Sequence, residues 1–241
     1  MLLTPPEVKV WAERHNIKTL QTEKIDDAFV LELREKAPEG GFGVFVVAAY
    51  GILLPTQLLT IPKHGVINMH PSLLPRLRGA NPIRGAILRD EKEVGVSIML
   101  VDEEMDHGPI LAQEKVTLNE WPPHGNELDE VLARHGGVLL ADTLPQLIQG
   151  TITPKEQDHD KATFTKKVVK EDGLIDLDAD PYQNLLKIRA YEGWPGTYFF
   201  IERGNKKLRV KIIDAELENE VLNITRVIPE GKDEMDYKDL V

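Results

Sequence analysis

Residues 66–82, V-I-N-M-H-P-S-L-L-P-R-L-R-G-A-N-P, start as a strand and end as a loop broken by proline and glycine. Val66, Asn68 and His70 are spaced two apart, so on a strand they share one face while Ile67 and Met69 take the other. The strand therefore ends with an amide and an imidazole pointing the same way. Open α/β sheets keep their ligand sites outside the carboxyl ends of strands. The same two side chains could instead bond to loop backbone, as buried polar groups commonly do.

The flanking sequence supplies the sheet. Upstream, Gly43–Ala49 is a continuous apolar run, the pattern of a strand buried on both faces. Downstream, Asn81-Pro82 opens a helix to about Leu88, with Asn81 as cap and Pro82 in the first turn. Gly95–Val101 and Ile110–Val116 read as strands. The short loop D-E-E-M-D-H-G-P at 102–109 makes them an antiparallel hairpin. Glu127–Ile148 has helical character, with an expected break at Gly136-Gly137, a bend at Pro145 and a stop at Gly150. Earlier, Pro5–Asn16 is a helix with Val8, Trp11 and Ala12 as its apolar stripe. Ile17–Leu20 is a short strand. A second helix is capped by Asp26 or Asp27 and turns Phe29, Val30 and Leu33 inward, and Pro55–Leu59 forms a short helix. This alternation means an α/β sheet with helices on both faces.

The second half differs in character. Thr151–Asp160 is polar and aperiodic and reads as the start of a linker. Asp180-Pro181 caps a helix to about Tyr191, followed by a rigid turn at Gly193–Gly196. Thr197–Ile201, Leu208–Ala215 and Val221–Ile228 are strand-like, and Glu234–Val241 could form a short helix. The expected organisation is a first domain over 1–150, a linker over 151–165 and a small β-rich domain over 166–241.

Bulk properties narrow the function classes. The chain has 241 residues and no cysteine, which excludes disulfides and thiolate metal sites. It has no apolar run of about 18 residues and no basic, apolar leader, so a cytoplasmic protein with no membrane span is expected. A net charge of −11 argues against broad, non-specific nucleic-acid binding, which needs a cationic surface. Local basic patches remain. Lys207, Arg209 and Lys211 alternate with apolar residues and share one strand face. With Arg203 and Lys206 they could meet phosphates, or form an ordinary solvated face. Arg76 and Arg78 could meet an anionic ligand, since Arg favours that role.

Asn68 can donate to a developing oxyanion, and His70 exchanges protons near neutral pH. Asp106 could orient His70 or hold a water. With no obvious Ser or Cys nucleophile, these groups suggest direct transfer between two bound substrates, a substrate amine attacking. A metal held by His70, Asp106 and His107 is the competing chemistry, but ligand spacings such as H-E-x-x-H are missing. No metal is expected.

N-M-H-P-S-L-L-P-R-L-R-G-A-N-P-I at 68–83, followed by D-E-E-M-D-H-G at 102–108, resembles the formyltransferase family that uses 10-formyltetrahydrofolate. A-Y-G-I-L-L-P at 49–55, T-F-T-K-K-V-V-K-E-D-G-L-I-D at 163–176 and R-A-Y-E-G-W-P-G-T at 189–197 resemble its methionyl-tRNA branch. The resemblance implies a Rossmann-like catalytic sheet and a small β-barrel-like, OB-like C-terminal domain. It implies Asn68, His70 and Asp106 as catalytic residues. Ser72, Leu73, Leu74 and Pro75 match the segment against which the folate binds. Asp102 to Gly108 match the loop framing the pterin. The implied reaction moves a formyl group from the folate to the amino group of methionine on initiator tRNA. Relative to the family pattern, the chain begins after the first strand-helix-strand, about where Leu2-Leu3-Thr4-Pro5 stands, and its C-terminal domain looks short. The expected sheet is thus incomplete, and the complete form is expected to be a monomer. A sugar-nucleotide N-formyltransferase is the nearest alternative, though it should lack the 163–176 and 189–197 segments. A non-catalytic tRNA- or partner-binding remnant is the other.

Overall fold

The structure is a computed structural model that describes residues 4–51, 54–204 and 206–240. Leu2, Leu3, Ile52 and Leu53, which belong to stretches singled out above, lie outside the described residues. In chain order the elements are α1 (Glu7–Arg14), α2 (Asp27–Glu35), β1 (Phe45–Ala48), α3 (Thr56–Leu59), β2 (Val66–His70) and the two-residue β3 (Arg78–Gly79). There follow α4 (Pro82–Leu88), β4 (Val94–Leu100), β5 (Ile110–Val116), α5 (Gly125–Gln149), the two-residue β6 (Phe164–Thr165) and α6 (Pro181–Ala190). The chain ends with β7 (Thr197–Arg203), β8 (Lys206–Glu218), β9 (Val221–Pro229) and β10 (Met235–Asp236).

The first sheet has the order β1-β2-β4-β5. β1 and β2 run parallel, and β2, β4 and β5 are successively antiparallel. The α/β class read from the sequence holds, and the 102–109 hairpin forms as expected. Ile67, Met69, Ile98 and Leu100 turn toward α5, where Leu139, Leu140, Leu144 and Leu147 meet them. Asn68 and His70, paired in register with Met99 and Ser97, face the other way. Strand alternation thus separates a packing face from a polar one.

Five local expectations need correction. Ile17–Leu20 contains no strand. The run at Gly43–Ala49 is not buried on both faces: β1 is an edge strand and Val46 is 44% exposed. Among α1's stripe, Val8 and Trp11 are exposed and no residue of the helix is buried. α5 runs unbroken through Gly136-Gly137, against the expected break, and contains Pro145; it stops at Gly150 in a left-handed conformation, as expected. Here packing overrides propensity, because a Cβ on Gly136 would meet Met69 Sδ at 2.7 Å. Glycine lets the helix lie close on β2. Finally, the short helix expected over Glu234–Val241 is confined to a 3-10 turn at Tyr237–Asp239 that follows the strand β10, and Val241 lies outside the described residues. The caps behave differently from one another. Asp26 and Asp180 accept from the third residue of their helices, as expected. Asn81 spends its amide on Lys166 O instead.

The second sheet is antiparallel, in the order β10-β9-β8-β7. Phe199, Val210, Ile212, Ala215 and Val227 form its core with Ile188 of α6. Leu186 and Ala190 of the same helix pack instead with Leu128 and Leu132 of α5 and Ile87 of α4. One short helix therefore belongs to two cores and joins the two sheets. Burial pushes the Tyr191 phenol above its usual pKa, aided by the Asp172 charge. Burial also lowers the Lys187 ammonium, which donates to Leu174 O at 2.6 Å.

Gly95 allows β4 to approach both β5 and the loop after β2. A Cβ there would lie 2.2 Å from Glu114 O and 2.6 Å from Leu73 Cδ2. Gly95→Ala is expected to lower stability by about 1–3 kcal/mol through overpacking. Urea unfolding with an unchanged m-value and midpoint would refute that.

Candidate active site

At the end of β2 the chain turns at Pro71 and runs back under itself. Ser97 of β4, with no exposed surface, organises this turn. Its hydroxyl donates to Ser72 O at 2.6 Å and accepts from Leu74 N at 3.1 Å. Gln113 of β5 donates to Ser97 Oγ at 2.8 Å and to Leu74 O at 3.0 Å. Ser72 Oγ donates to Arg76 O. Ser72, Leu73, Leu74 and Pro75 are thus packed behind the strand end, and none lines the principal cleft.

The loop then rises to the site. His70 is 4% exposed and its Nε2 lies 3.0 Å from Leu77 O. A carbonyl only accepts, so Nε2 carries the proton and donates. Nδ1 faces Asp106 Oδ1 at 3.5 Å. The other Asp106 oxygen accepts from Gly79 N at 2.7 Å. Asp106 sits at φ +51°, a left-handed conformation that is strained for a side-chain-bearing residue. The Asn68 side chain makes no hydrogen bond to any described residue and stays half-buried beside His70. Asn68, His70 and Asp106 are therefore brought together.

They line one wall of a cleft of about 720 Å³, a size typical of small-molecule sites. Val47, Ala49, Leu54, Met99 and Val101 give it an apolar side. Residues 102–106 and 79–84 also line it, and the two segments meet where Gly79 N–H donates to Asp106. Asn126, Asp129, Glu192, Gly193 and the exposed Trp194 complete its lining. Arg84 is held there by a two-pronged pair with Asp129 at 2.6 and 2.7 Å. Gly108 lies at the base of the loop, where a Cβ would be 2.1 Å from Leu100 O, so its role is close backbone approach. Among the described residues, no cluster of three or more metal-type ligands occurs. His107 pairs with Asp102 at 2.7 Å.

The arginines of the loop do not reach the cleft. Arg76 lies within ion-pair range of Glu91 and Glu93, at 3.8 and 3.7 Å. Arg78, 3% exposed, donates from Nε and Nη2 to Gln157 Oε1 at 3.2 and 2.7 Å and from Nη2 to His159 Nδ1 at 2.9 Å. His159 stacks on His107 with ring centres 4.1 Å apart. Gln157 also donates to Asp106 O and Gly108 O. The stretch read as a linker is therefore part of the site's foundation: Lys155 exchanges both main-chain hydrogen bonds with Ile110, and Gln157 is buried. Sequence reasoning missed Gln157 and His159. Nothing local in T-P-K-E-Q-D-H-D marks them.

Lys207, Arg209 and Lys211 lie on β8, outside the cleft lining. They are in register with Glu202, Phe200 and Tyr198 of β7. Arg209 stacks on Tyr198 at 3.8 Å, and Lys207 lies 4.8 Å from the Phe200 ring centre. The face thus combines cations with aromatic rings.

A family profile described as "Formyl transferase" matches residues 5–134, and one described as "Formyl transferase, C-terminal domain" matches 167–221. A methionyl-tRNA formyltransferase of Chloroflexus aurantiacus is 48% identical over 199 residues, which are 82% of this chain and 63% of that protein. The chain thus spans less than two thirds of that relative's length. One from Thermodesulfovibrio yellowstonii is 35% identical over 99% of this chain and 82% of its own. Among solved structures, a methionyl-tRNA formyltransferase from Clostridium thermocellum aligns with a TM-score of 0.58 at 21% identity, covering 76% of this chain and 77% of that one. An N-formyltransferase from Helicobacter canadensis, in complex with folinic acid and dTDP-3-aminofucose, aligns at 0.67 and 21% identity over 88% and 71%. These two likenesses establish the fold.

Ser97→Ala tests the foundation of the loop. It would leave Leu74 N, Ser72 O and the Gln113 amide short of a partner, a loss of about 1–3 kcal/mol for a buried unmet group. Calorimetry or urea unfolding reads this, and an unchanged midpoint would show that the hydroxyl does not organise the turn.

Proposed function

The chain belongs to the formyl transferase family, and on that premise we propose that it moves a formyl group from 10-formyltetrahydrofolate to the amino group of methionine esterified to initiator tRNA. The observation that carries this reading is the convergence of Asn68, His70 and Asp106 on one cleft, with the Asn68 amide unengaged among the described residues. A pterin suits the apolar wall at Val47, Ala49, Met99 and Val101, under the Asp102–Asp106 loop. On this reading residues 1–150 carry the chemistry, 151–165 join the parts, and 166–241 present a surface to tRNA.

Asn68 Nδ2–H donates to the formyl oxygen as the substrate amine nitrogen bonds to the formyl carbon and that oxygen gains negative charge. His70 cannot use Nε2 as a base, because that nitrogen donates to Leu77 O. The proton leaving the amine therefore goes to the side where Nδ1 faces Asp106 Oδ1 across 3.5 Å. Asp106, steadied by Gly79 N–H, keeps its other carboxylate oxygen turned toward that nitrogen. Collapse restores the carbonyl, breaks the bond to the folate nitrogen and returns a proton to it. Ser72–Pro75 serve this site from behind, by holding the strand end.

For the acceptor, the methionyl-tRNA branch fits better than a sugar nucleotide. The segments 163–176 and 189–197 are both present, and the curated relatives at 34–48% identity carry the methionyl-tRNA formyltransferase name. The Lys207, Arg209 and Lys211 face offers cations for phosphates and rings for stacking.

Two outcomes are expected. Asn68→Ala should lower kcat by about a hundred-fold or more, the scale of one lost oxyanion donor, while folate binding barely changes. A mutant with wild-type turnover would remove Asn68 from the mechanism. Replacing Lys207, Arg209 and Lys211 together with Ala should weaken tRNA binding and reduce the salt slope by about one per lost phosphate contact. Turnover at saturating tRNA should hold. An unaltered slope would return these cations to a purely solvated role.

A further inference from the structure

We propose that Gln157 is a positioning residue for Asp106, so that the segment joining the two sheets sets the geometry of the cleft's proton-accepting side. This deepens the function proposed above and rests on its reading of Asp106. Gln157 is 5% exposed and uses both ends of its amide. The orientation is dictated by its partners. Arg78 can only donate, so it must meet Oε1, which leaves Nε2 for the carbonyls of Asp106 at 2.9 Å and Gly108 at 2.7 Å.

The consequence follows from what each partner carries. Asp106 has a strained backbone at φ +51°, and such a conformation persists only where surroundings impose it. Among the described residues, Gln157 is the side chain that grips its main chain. Arg78 also precedes Gly79, whose N–H holds Asp106 Oδ2. One buried amide therefore fixes both the peptide that bears the carboxylate and the strand that supplies its donor. The dependent contact, His70 Nδ1 to Asp106 Oδ1 at 3.5 Å, is already at the edge of hydrogen-bond range, so a small shift of the loop would alter it steeply. His159 Nδ1 accepts from Arg78 and its ring stacks on His107, which joins the same segment to Asp102 at the loop's start.

Gln157→Glu separates this role from a simply structural one. The new carboxylate keeps the shape and pairs with Arg78, yet has no N–H for the two loop carbonyls. The full chain is assayed with Gln157→Glu, Gln157→Leu and Asp106→Asn. Unfolding midpoints, kcat, KM for the formyl donor and the 15N resonance of His70 Nδ1 are recorded. The expected result is a fall in kcat of about 10- to 100-fold in both Gln157 variants, the cost of misplacing a reacting group by about an ångström. The donor's KM should stay near its wild-type value, and the His70 resonance should move in the same direction as in Asp106→Asn. Wild-type kcat and an unmoved resonance in folded Gln157→Glu, beside an impaired Asp106→Asn, would overturn the role of Gln157 alone. Full activity in Asp106→Asn would overturn the reading of the carboxylate, and the positioning role with it. The resonance tests the geometry independently of turnover.

Discussion

The pairing of β2 with β4 in a single register is the constraint on which the site depends. With His70 opposite Ser97 and Asn68 opposite Met99, Ile67 and Met69 must face α5. A slip of one residue would put the imidazole and amide into the apolar core and the isoleucine into the cleft. Burial of Ile67, Ile98 and Leu111 against α5 makes that slip costly, so packing on one face holds the chemistry on the other. Gly136 belongs to the same arrangement. It lets α5 press on Met69, directly behind the strand end that carries His70.

The polar side is held by satisfaction of buried groups. Ser97 and Gln113 fix the loop at Ser72–Leu74, Leu77 O fixes His70, and Gln157 and Arg78 fix the acidic loop. Each of these groups would be costly to bury unpaired, so each bond also excludes alternative loop conformations. Asn68 stands apart. It lies beside these engaged groups with its amide uncommitted among the described residues, as the proposed mechanism requires of it.

The parts legible in the sequence were those with local signals. The alternation at Val66–His70, the short acidic loop of the β4–β5 hairpin and the aspartate caps of α2 and α6 all act within a few residues. The joint motif at 68–83 and 102–108 pointed to the family, and to three side chains that do converge. What was not legible depends on distant contacts. Gln157 meets Arg78 and Gly108 across 79 and 49 residues, from an aperiodic polar stretch. Arg78 has the composition of a ligand-binding arginine, yet its guanidinium is spent inside the protein. Gly136-Gly137 carries a helix-breaking signal that packing overrides. Gly43–Ala49 reads as a central strand, yet its exposed Val46 marks a sheet edge.

Charge distribution adds a last step to the proposed function. The cleft lining holds Asp102, Glu103, Glu104, Asp106, Asp129 and Glu192, against Arg84, which is itself paired with Asp129. Phosphates would be repelled from such a lining, whereas an amine arriving as ammonium would be drawn in and then give up a proton to become nucleophilic. The cations available for a polyanion stand on β8, outside that lining. An acidic chain of net charge −11 can thus accept tRNA without contradiction. On the proposed function, the phosphate backbone would meet the Lys207–Lys211 face, and the aminoacyl end, whose amine is its cationic group, would enter the acidic cleft. The turn at Gly193–Gly196 connects the two regions: Trp194 lines the cleft, and Gly196 leaves room for the Lys211 side chain.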